Sequence, residues 1–257
     1  MCRKSKFVAL AALLLPLAFI SGAKAEVFVS RYDVRLAGIH MGEAIVHTAL
    51  SAKRYKVAVS ADFGVLLINE KIRGEASGSR IGAELAPEHF SMTMSGGEDR
   101  AIEIHFAGSM PHSTKFTPPL PEEVLARQVP LKETELRGLL DPLSALLTAS
   151  LKLAPAGNPC HSALPVYTGQ ARIDISLHPK TANEPQRDAA AVTCQARLVS
   201  IGGVRAVAGD EALQNIKPEA SFVRLPKPNL WLLQHLSLLA PVGTVTVERV
   251  ETAILGS

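Results

Sequence analysis

Apolar and polar residues alternate with a period of two along most of this chain, and that pattern leaves few folds open. Tyr32, Val34 and Leu36 alternate with Arg31, Asp33 and Arg35. Tyr55, Val57 and Val59 alternate with Lys56, Ala58 and Ser60. Phe90, Met92 and Met94 enclose Ser91 and Thr93, and Ile102, Ile104 and Phe106 are set against Glu103 and His105. Further on, Ala171, Ile173, Ile175 and Leu177 oppose Arg172, Asp174, Ser176 and His178. Val192, Cys194, Ala196 and Leu198 share one face, and Val245 and Val247 follow the same rule near the end. Successive strand side chains point to opposite faces, so each run predicts a half-buried strand of an antiparallel sheet with one face on a core. Gly74, Gly78, Gly82, Gly96-Gly97 and Gly202-Gly203 punctuate the runs, and they are expected at turns and bulges.

The middle of the chain breaks the pattern. Pro111, Pro118, Pro119, Pro121 and Pro130 deprive any strand there of ladder donors. An extended connection is expected, with one helical turn around residues 122–127. Asp141 can then cap a helix and Pro142 suits its first position. Leu143, Leu146, Leu147 and Leu151 follow at helical spacing and predict one face packed on the sheet, before Pro155, Gly157 and Pro159 end the helix. The expectation is an all-β fold interrupted by one helix. Residues 26–257 then form a single β-rich domain, with the proline-rich connection and helix at about 111–155. Two separate sheets and one continuous curled sheet both fit the alternation.

The first 25 residues read as an address. Met1 to Lys6 is short and basic, Phe7 to Ile20 is apolar apart from Pro16, and Ala23-Lys24-Ala25 carries the small residues a signal peptidase reads. The apolar stretch is too short to span a bilayer of about 30 Å. Cleavage is expected between Ala25 and Glu26, giving a soluble, exported, periplasmic protein. Cys2 lies at the wrong end of the signal for a lipid anchor.

Composition excludes several function classes. The chain has 257 residues, 47% hydrophobic and 20% charged, enough for a sizeable core and unlike a disordered or disulfide-dense chain. Its formal charge of +3 comes from the address segment: of 27 Lys and Arg, four precede Glu26, leaving 23 against 24 Asp and Glu. A near-neutral body without basic runs does not collect phosphates, so no nucleic-acid partner is expected. No later stretch is long and apolar enough for a membrane helix, since Leu230 to Val242 is interrupted by Gln234 and His235. Two cysteines follow the signal, Cys160 and Cys194. An even pair in an oxidising compartment reads first as a disulfide. A redox pair would want a CxxC, and a metal site more ligand spacing than Cys160-His161 offers.

A family resemblance adds to this reading. Tyr32-Asp33-Val34-Arg35-Leu36-Ala37-Gly38-Ile39 with Gly42-Glu43-Ala44 is similar to the first hairpin of the bacterial family called domain of unknown function 3108. Asp141-Pro142-Leu143-Ser144-Ala145-Leu146 resembles that family's central helix. Pro165 to Ile173 resembles its aromatic-Asp-Gly turn leading into a strand, with Thr168 in place of the usual Asp, and Cys194 to Gly203 resembles its Cys-strand-Gly segment. The resemblance implies an exported protein with a curled antiparallel sheet, open and barrel-like (a β-spiral), and no established activity. A similar periplasmic β-spiral family is associated with envelope integrity.

Catalytic motifs are scarce. The chain holds no GxSxG, HExxH, P-loop or strand-linked GxGxxG. His105 and His178 fall on polar strand faces and are expected in solvent; His89, His112 and His161 lie beside turn residues; His235, inside an apolar run, is expected in the core. His40 and His47 belong to the first hairpin, where pairing could bring them close, but no Asp or Glu spacing supports a metal there. Glu43, Glu98, Asp99 and Glu103 could face one another across strands, yet carbohydrate sites want aromatic platforms and Trp231 is the only tryptophan. No catalytic residue, metal or cofactor is assigned. Val65-Leu66-Leu67-Ile68 and Leu230-Trp231-Leu232-Leu233 are apolar on both strand faces, more than a one-sided sheet requires. Either the helix and the proline-rich segment cover the second face, or a groove for an acyl chain or apolar peptide exists.

The preferred expectation is therefore a non-enzymatic periplasmic protein that supports the envelope by binding a lipid, an apolar peptide or a partner protein. It predicts an apolar concavity without converging titratable groups. A hydrolase or transferase with a dispersed site predicts a polar cleft where a histidine meets a carboxylate or hydroxyl. A purely structural interaction module predicts an uncovered strand edge.

Overall fold

The computed structural model describes residues 25–65, 68–152, 160, 162–180, 190–204, 216–225, 230–240 and 243–256. The address segment before Ala25, His161, Leu66 and Leu67 lie outside the described residues. Seven strands come first: β1 (Glu26–Leu36), β2 (Ile39–Leu50), β3 (Arg54–Val65), β4 (Ile68–Ile81), β5 (Glu84–Ser95), β6 (Arg100–Ala107) and β7 (Met110–Thr117). A short helix α1 (Glu122–Leu125), a two-residue strand β8 (Gln128–Val129) and the main helix α2 (Pro142–Lys152) fill the middle. Then follow β9 (Ala163–Tyr167), β10 (Ala171–Pro179), β11 (Ala191–Val204), β12 (Glu219–Leu225), β13 (Leu230–Ala240) and β14 (Gly243–Gly256).

All strands join one antiparallel sheet in the order β7-β6-β5-β4-β3-β2-β1-β14-β13-β12-β11-β10-β9, with β8 pairing β11 off this path. The first meander runs outward from β1, and the second runs back to β14, so the two ends of the described chain pair at the middle of the sheet. Of the two arrangements the alternation allowed, the continuous sheet is the observed one. The alternation holds along most of the chain, although Met94 near the end of β5 is exposed. Tyr32, Val34, Tyr55, Val57, Phe90, Ile104, Phe106, Leu177, Val192, Cys194 and Ala196 are all buried. Their strand neighbours Arg31, Asp33, Lys56, Glu103 and His105 lie at least partly in solvent on the other face. A one-residue register slip would expose that whole set, which is why the pattern fixes the pairing.

The sheet is curled around α2. The helix packs against β3, β4 and β5 on one side and against β9 and β13 on the other. β5 and β9 are ten strand steps apart in the sheet order. Laid flat at about 4.8 Å per step, they would be roughly 48 Å apart. A helix about 10 Å across touches both only if the sheet wraps round it. The edge strands β7 and β9 do not pair with each other. Two residues ahead of α2 bridge the gap. Leu139 N–H donates to Ser109 in the β6–β7 turn at 2.9 Å. Leu140 N–H donates to the Pro165 carbonyl oxygen of β9 at 2.9 Å, and the Leu140 carbonyl oxygen accepts from Tyr167 N–H at 2.8 Å. Both leucines are buried, so this segment seals the seam with apolar as well as polar contact.

Two expectations about punctuation change and one holds. Residues 110–117 form a strand despite Pro111, because β7 is an edge strand and Pro111 sits at a register shift, where no ladder donor is needed. The expected helical turn at 122–127 is observed as α1. Gly78 sits at a register shift inside β4, as expected of a bulge, and a Cβ there would stand 2.8 Å from the Tyr55 ring and 2.2 Å from the Ala86 carbonyl oxygen, whereas Gly74 lies in the regular β4 ladder. These glycines make room for the layer above. Gly203, at the end of β11, has φ +101°, and a Cβ there would lie 2.1 Å from the Gln170 carbonyl oxygen. Its role is a close crossing of β11 over the β9–β10 turn. In that turn Thr168 does the work of the missing Asp: its Oγ1 accepts from Ala171 N–H at 3.2 Å.

Cys160 and Cys194 are joined by a disulfide with Cα atoms 5.2 Å apart. Both are fully buried. The bond ties the link after α2 to β11, so it fixes the helix against the second meander.

Candidate functional site

Helix α2 is positioned by a buried polar cluster at its start. Asp141 Oδ1 accepts from the N–H groups of Leu143 at 3.0 Å and Ser144 at 2.9 Å, as expected of an N-cap. Its Oδ2 accepts from the Ser144 hydroxyl. Because that proton is committed, the Tyr55 hydroxyl donates to Ser144 Oγ, at 2.6 Å. Asp141 and Ser144 are fully buried, and Tyr55 nearly so. Burial pushes the Asp141 carboxyl above the usual carboxylate range and the Tyr55 hydroxyl well above its own. The chain Tyr55–Ser144–Asp141 is thus a structural lock between β3 and α2. Among the described residues no histidine joins it, so the described cluster holds no base for a serine nucleophile.

The helix contacts the two meanders unequally. Toward β1–β3 it leaves only a niche of about 30 Å³, lined in part by the Ser30, Thr48 and Ser150 hydroxyls. Toward β9–β13 it leaves a cavity of about 390 Å³. The helix contributes Pro142, Ala145, Leu146 and Ala149 to this cavity. The strands contribute Leu164, Val166, Ile175, Leu177, Ala196, Leu198, Ala220, Phe222, Leu233, Leu236 and Leu238, and Ile216 and Pro218 complete the wall. Every described lining residue is apolar. Ala145, Ala149, Ala196 and Ala220 are buried at its base, and Ile175, Leu198, Leu236 and Leu238 are half-buried at its rim. The volume falls within the roughly 300–1,000 Å³ of small-molecule sites. A water inside would lack the two to four polar partners it needs.

The apolar run Leu230 to Leu233 is buried throughout, and Leu233 reaches the cavity wall. The companion run at residues 65–68 falls largely outside the described side chains. His235 is half-buried instead of in the core, because a register shift between Ser221 and Phe222 turns it to the outer face, opposite Glu248. His40 and His47 do not meet: the hairpin turns at Ala37-Gly38, so both lie on β2, seven residues and roughly 23 Å apart. His40 instead bonds Asp33, which also accepts from Arg35 at 2.6 Å; the Arg35 bond holds the Asp33 carboxyl below its usual range. His178 is exposed beside Ser176, as expected.

The acidic residues do not form a facing pair. Glu98 bonds Arg100, Asp99 caps the Gly96 N–H at 3.3 Å, and Glu43 lies 3.9 Å from Arg31. Glu103 meets two histidines that the sequence reading kept apart: His89 Nε2 lies 3.3 Å and His105 Nε2 3.1 Å from the same Glu103 oxygen. The signal for this was present in the turn. Gly97 lies eight residues from each histidine, so a hairpin centred there places them opposite one another.

The structure is thus an open, curled antiparallel sheet wrapped around one capped helix, with an apolar cavity on one side of that helix. Residues 31–207 match the family described as Protein of unknown function (DUF3108), and the chain belongs to that family. No curated protein and no solved structure matches the chain. Among the described residues no helix is long and apolar enough to cross a membrane.

Proposed function

We propose that the protein is exported to the periplasm and there supports the envelope as a binding protein, holding the acyl chain of a lipid in the cavity beside α2. The observation that carries this reading is the wholly apolar lining of a 390 Å³ space. An apolar peptide would bring backbone N–H and C=O groups that must find partners, and this wall offers none, because the strands' own groups are spent in the sheet. An acyl chain brings no such demand. Each methylene removed from water contributes about 0.8 kcal/mol, so a chain of ordinary length accounts for useful affinity without any polar contact. The half-buried rim lets a polar headgroup stay in solvent. Export is supported by the basic and apolar address segment ending at Ala25 and by the paired Cys160 and Cys194. Strand addition is less favoured at one edge, since Leu140 already occupies the backbone groups of β9.

The test is uptake of a fluorescent fatty acid by the purified protein. Ala196→Trp places an indole at the base of the cavity on a strand that tolerates aromatics. It is expected to lower affinity at least tenfold while far-UV circular dichroism stays unchanged. Leu238→Gln at the rim is expected to give a smaller loss. Equal uptake by wild type and Ala196→Trp would reject the cavity as the site.

A further inference from the structure

We infer that the outer face of the β5–β6 hairpin carries a site for a divalent transition-metal ion of the zinc class, built from His89, Glu103 and His105. The site is independent of the cavity, which lies on the inner face. Three observations converge. First, His89 and His105 are directly paired across the two strands, so the backbone ladder, and not a flexible loop, sets their separation. Their rings are 5.1 Å apart and tilted by 53°, an arrangement that turns both Nε2 atoms toward one point and does not stack the faces. Second, Glu103 stands two residues before His105 on the same face, and its Oε1 is the point on which both Nε2 atoms converge, at 3.3 and 3.1 Å. All three donor atoms lie within 4.8 Å of one another. A tetrahedral ion with bonds of about 2.0–2.1 Å separates its ligands by roughly 3.3 Å, so the two carboxylate–imidazole distances already match that spacing. Small side-chain rotations close the third.

Third, the donor set has the right chemistry. Two imidazoles and one carboxylate leave the fourth position of a tetrahedron to solvent, and they suit zinc, copper or nickel better than calcium or magnesium, which take oxygen ligands. Lys115 is the cross-strand partner of Glu103 on β7 and places one positive charge on this face, which moderates the affinity. The three ligands are partly exposed, which gives an ion free access.

The experiment is isothermal titration of zinc chloride into the purified, EDTA-treated protein, with cobalt absorption as a second readout of tetrahedral coordination. Saturable one-to-one binding is expected. His105→Ala and Glu103→Gln should each weaken it at least tenfold, and His89→Ala combined with His105→Ala should abolish it. His178→Ala, on a distant strand, should leave it unchanged. All three ligands are on the surface, so circular dichroism should be identical for every variant. The absence of saturable heat with wild type, or retention of wild-type affinity in the double histidine variant, would overturn the assignment and leave the three residues as a hydrogen-bonded surface triad.

Discussion

Asp141→Ala is expected to lower the unfolding free energy by about 2–5 kcal/mol, combining a lost helix cap with the desolvation of hydroxyls left without a partner. The cap alone accounts for about 1 kcal/mol in typical helices. The rest arises because Ser144 Oγ loses the acceptor for its proton and the Tyr55 hydroxyl loses a fixed partner, both away from water. Asp141→Asn is expected to cost much less. Its carbonyl oxygen still accepts from Leu143 and Ser144, and its NH₂ can donate to Ser144 Oγ, whose proton then turns to Tyr55. The pair of variants also separates charge from connectivity. Because burial raises the Asp141 carboxyl, the folded protein holds that proton more tightly than the unfolded chain does. The stability it contributes is fully present below the unfolded Asp value of about 4, and it is lost as the pH rises through the higher folded value. Surface carboxylates such as the half-buried Asp33 and the exposed Glu98, which neighbouring arginines hold low, act in the opposite direction. Comparing wild type with Asp141→Asn cancels them. Urea denaturation across that range should show wild type losing stability relative to Asp141→Asn as the pH rises. A relative gain would mean that the hydrogen bonds to the carboxylate outweigh its burial.

Removing the disulfide is the second large effect. The Cys160→Ser, Cys194→Ser double variant should lose roughly 2–5 kcal/mol, as expected for a native bridge closing a loop of this size. For a chain of this length that corresponds to a fall in Tm on the order of 5–20 °C. The loss should fall on the second meander, because the bond joins the link after α2 to β11 next to the wall of the cavity. Acyl uptake should therefore weaken in the double variant even under conditions where it remains folded. Thermal melts of oxidised and reduced wild type give the same comparison without mutation. Two free thiols in the denatured, unreduced protein, or a Tm unchanged by reduction, would contradict the assignment.

The fold was legible where one residue's neighbours decide its position. Alternation placed Tyr55, Val57 and Phe90 inside because a strand with one wet face allows no other arrangement. Asp141-Pro142 marked the helix start because an N-cap and an N1 proline act over a single turn. What local pattern could not supply was the register between distant strands. The cavity depends on Ala145, Ala196 and Ala220 converging from a helix and two strands, and a lone alanine in a strand carries no sign of the space it leaves. His40 and His47 could be imagined as neighbours until the turn at Ala37-Gly38 put them on one strand. His89 and His105 were separable in sequence yet paired in space, since an antiparallel hairpin centred on Gly97 brings together residues equally far from its turn. Gly74 and Gly78 look like turn or bulge residues in the sequence, and Gly78 does sit at a register shift. In the sheet their missing side chains admit Val59, Tyr55 and the helix, a reason visible only once the layers are stacked.

The central claim is that the cavity beside α2 holds an acyl chain. Native mass spectrometry of the protein purified from the cells that produce it, followed by lipid extraction, tests it most directly. The account predicts a stoichiometric adduct that extracts as an acyl-bearing lipid and is absent from Ala196→Trp. A bare protein mass under the same gentle conditions, or an adduct that persists in Ala196→Trp, would contradict it.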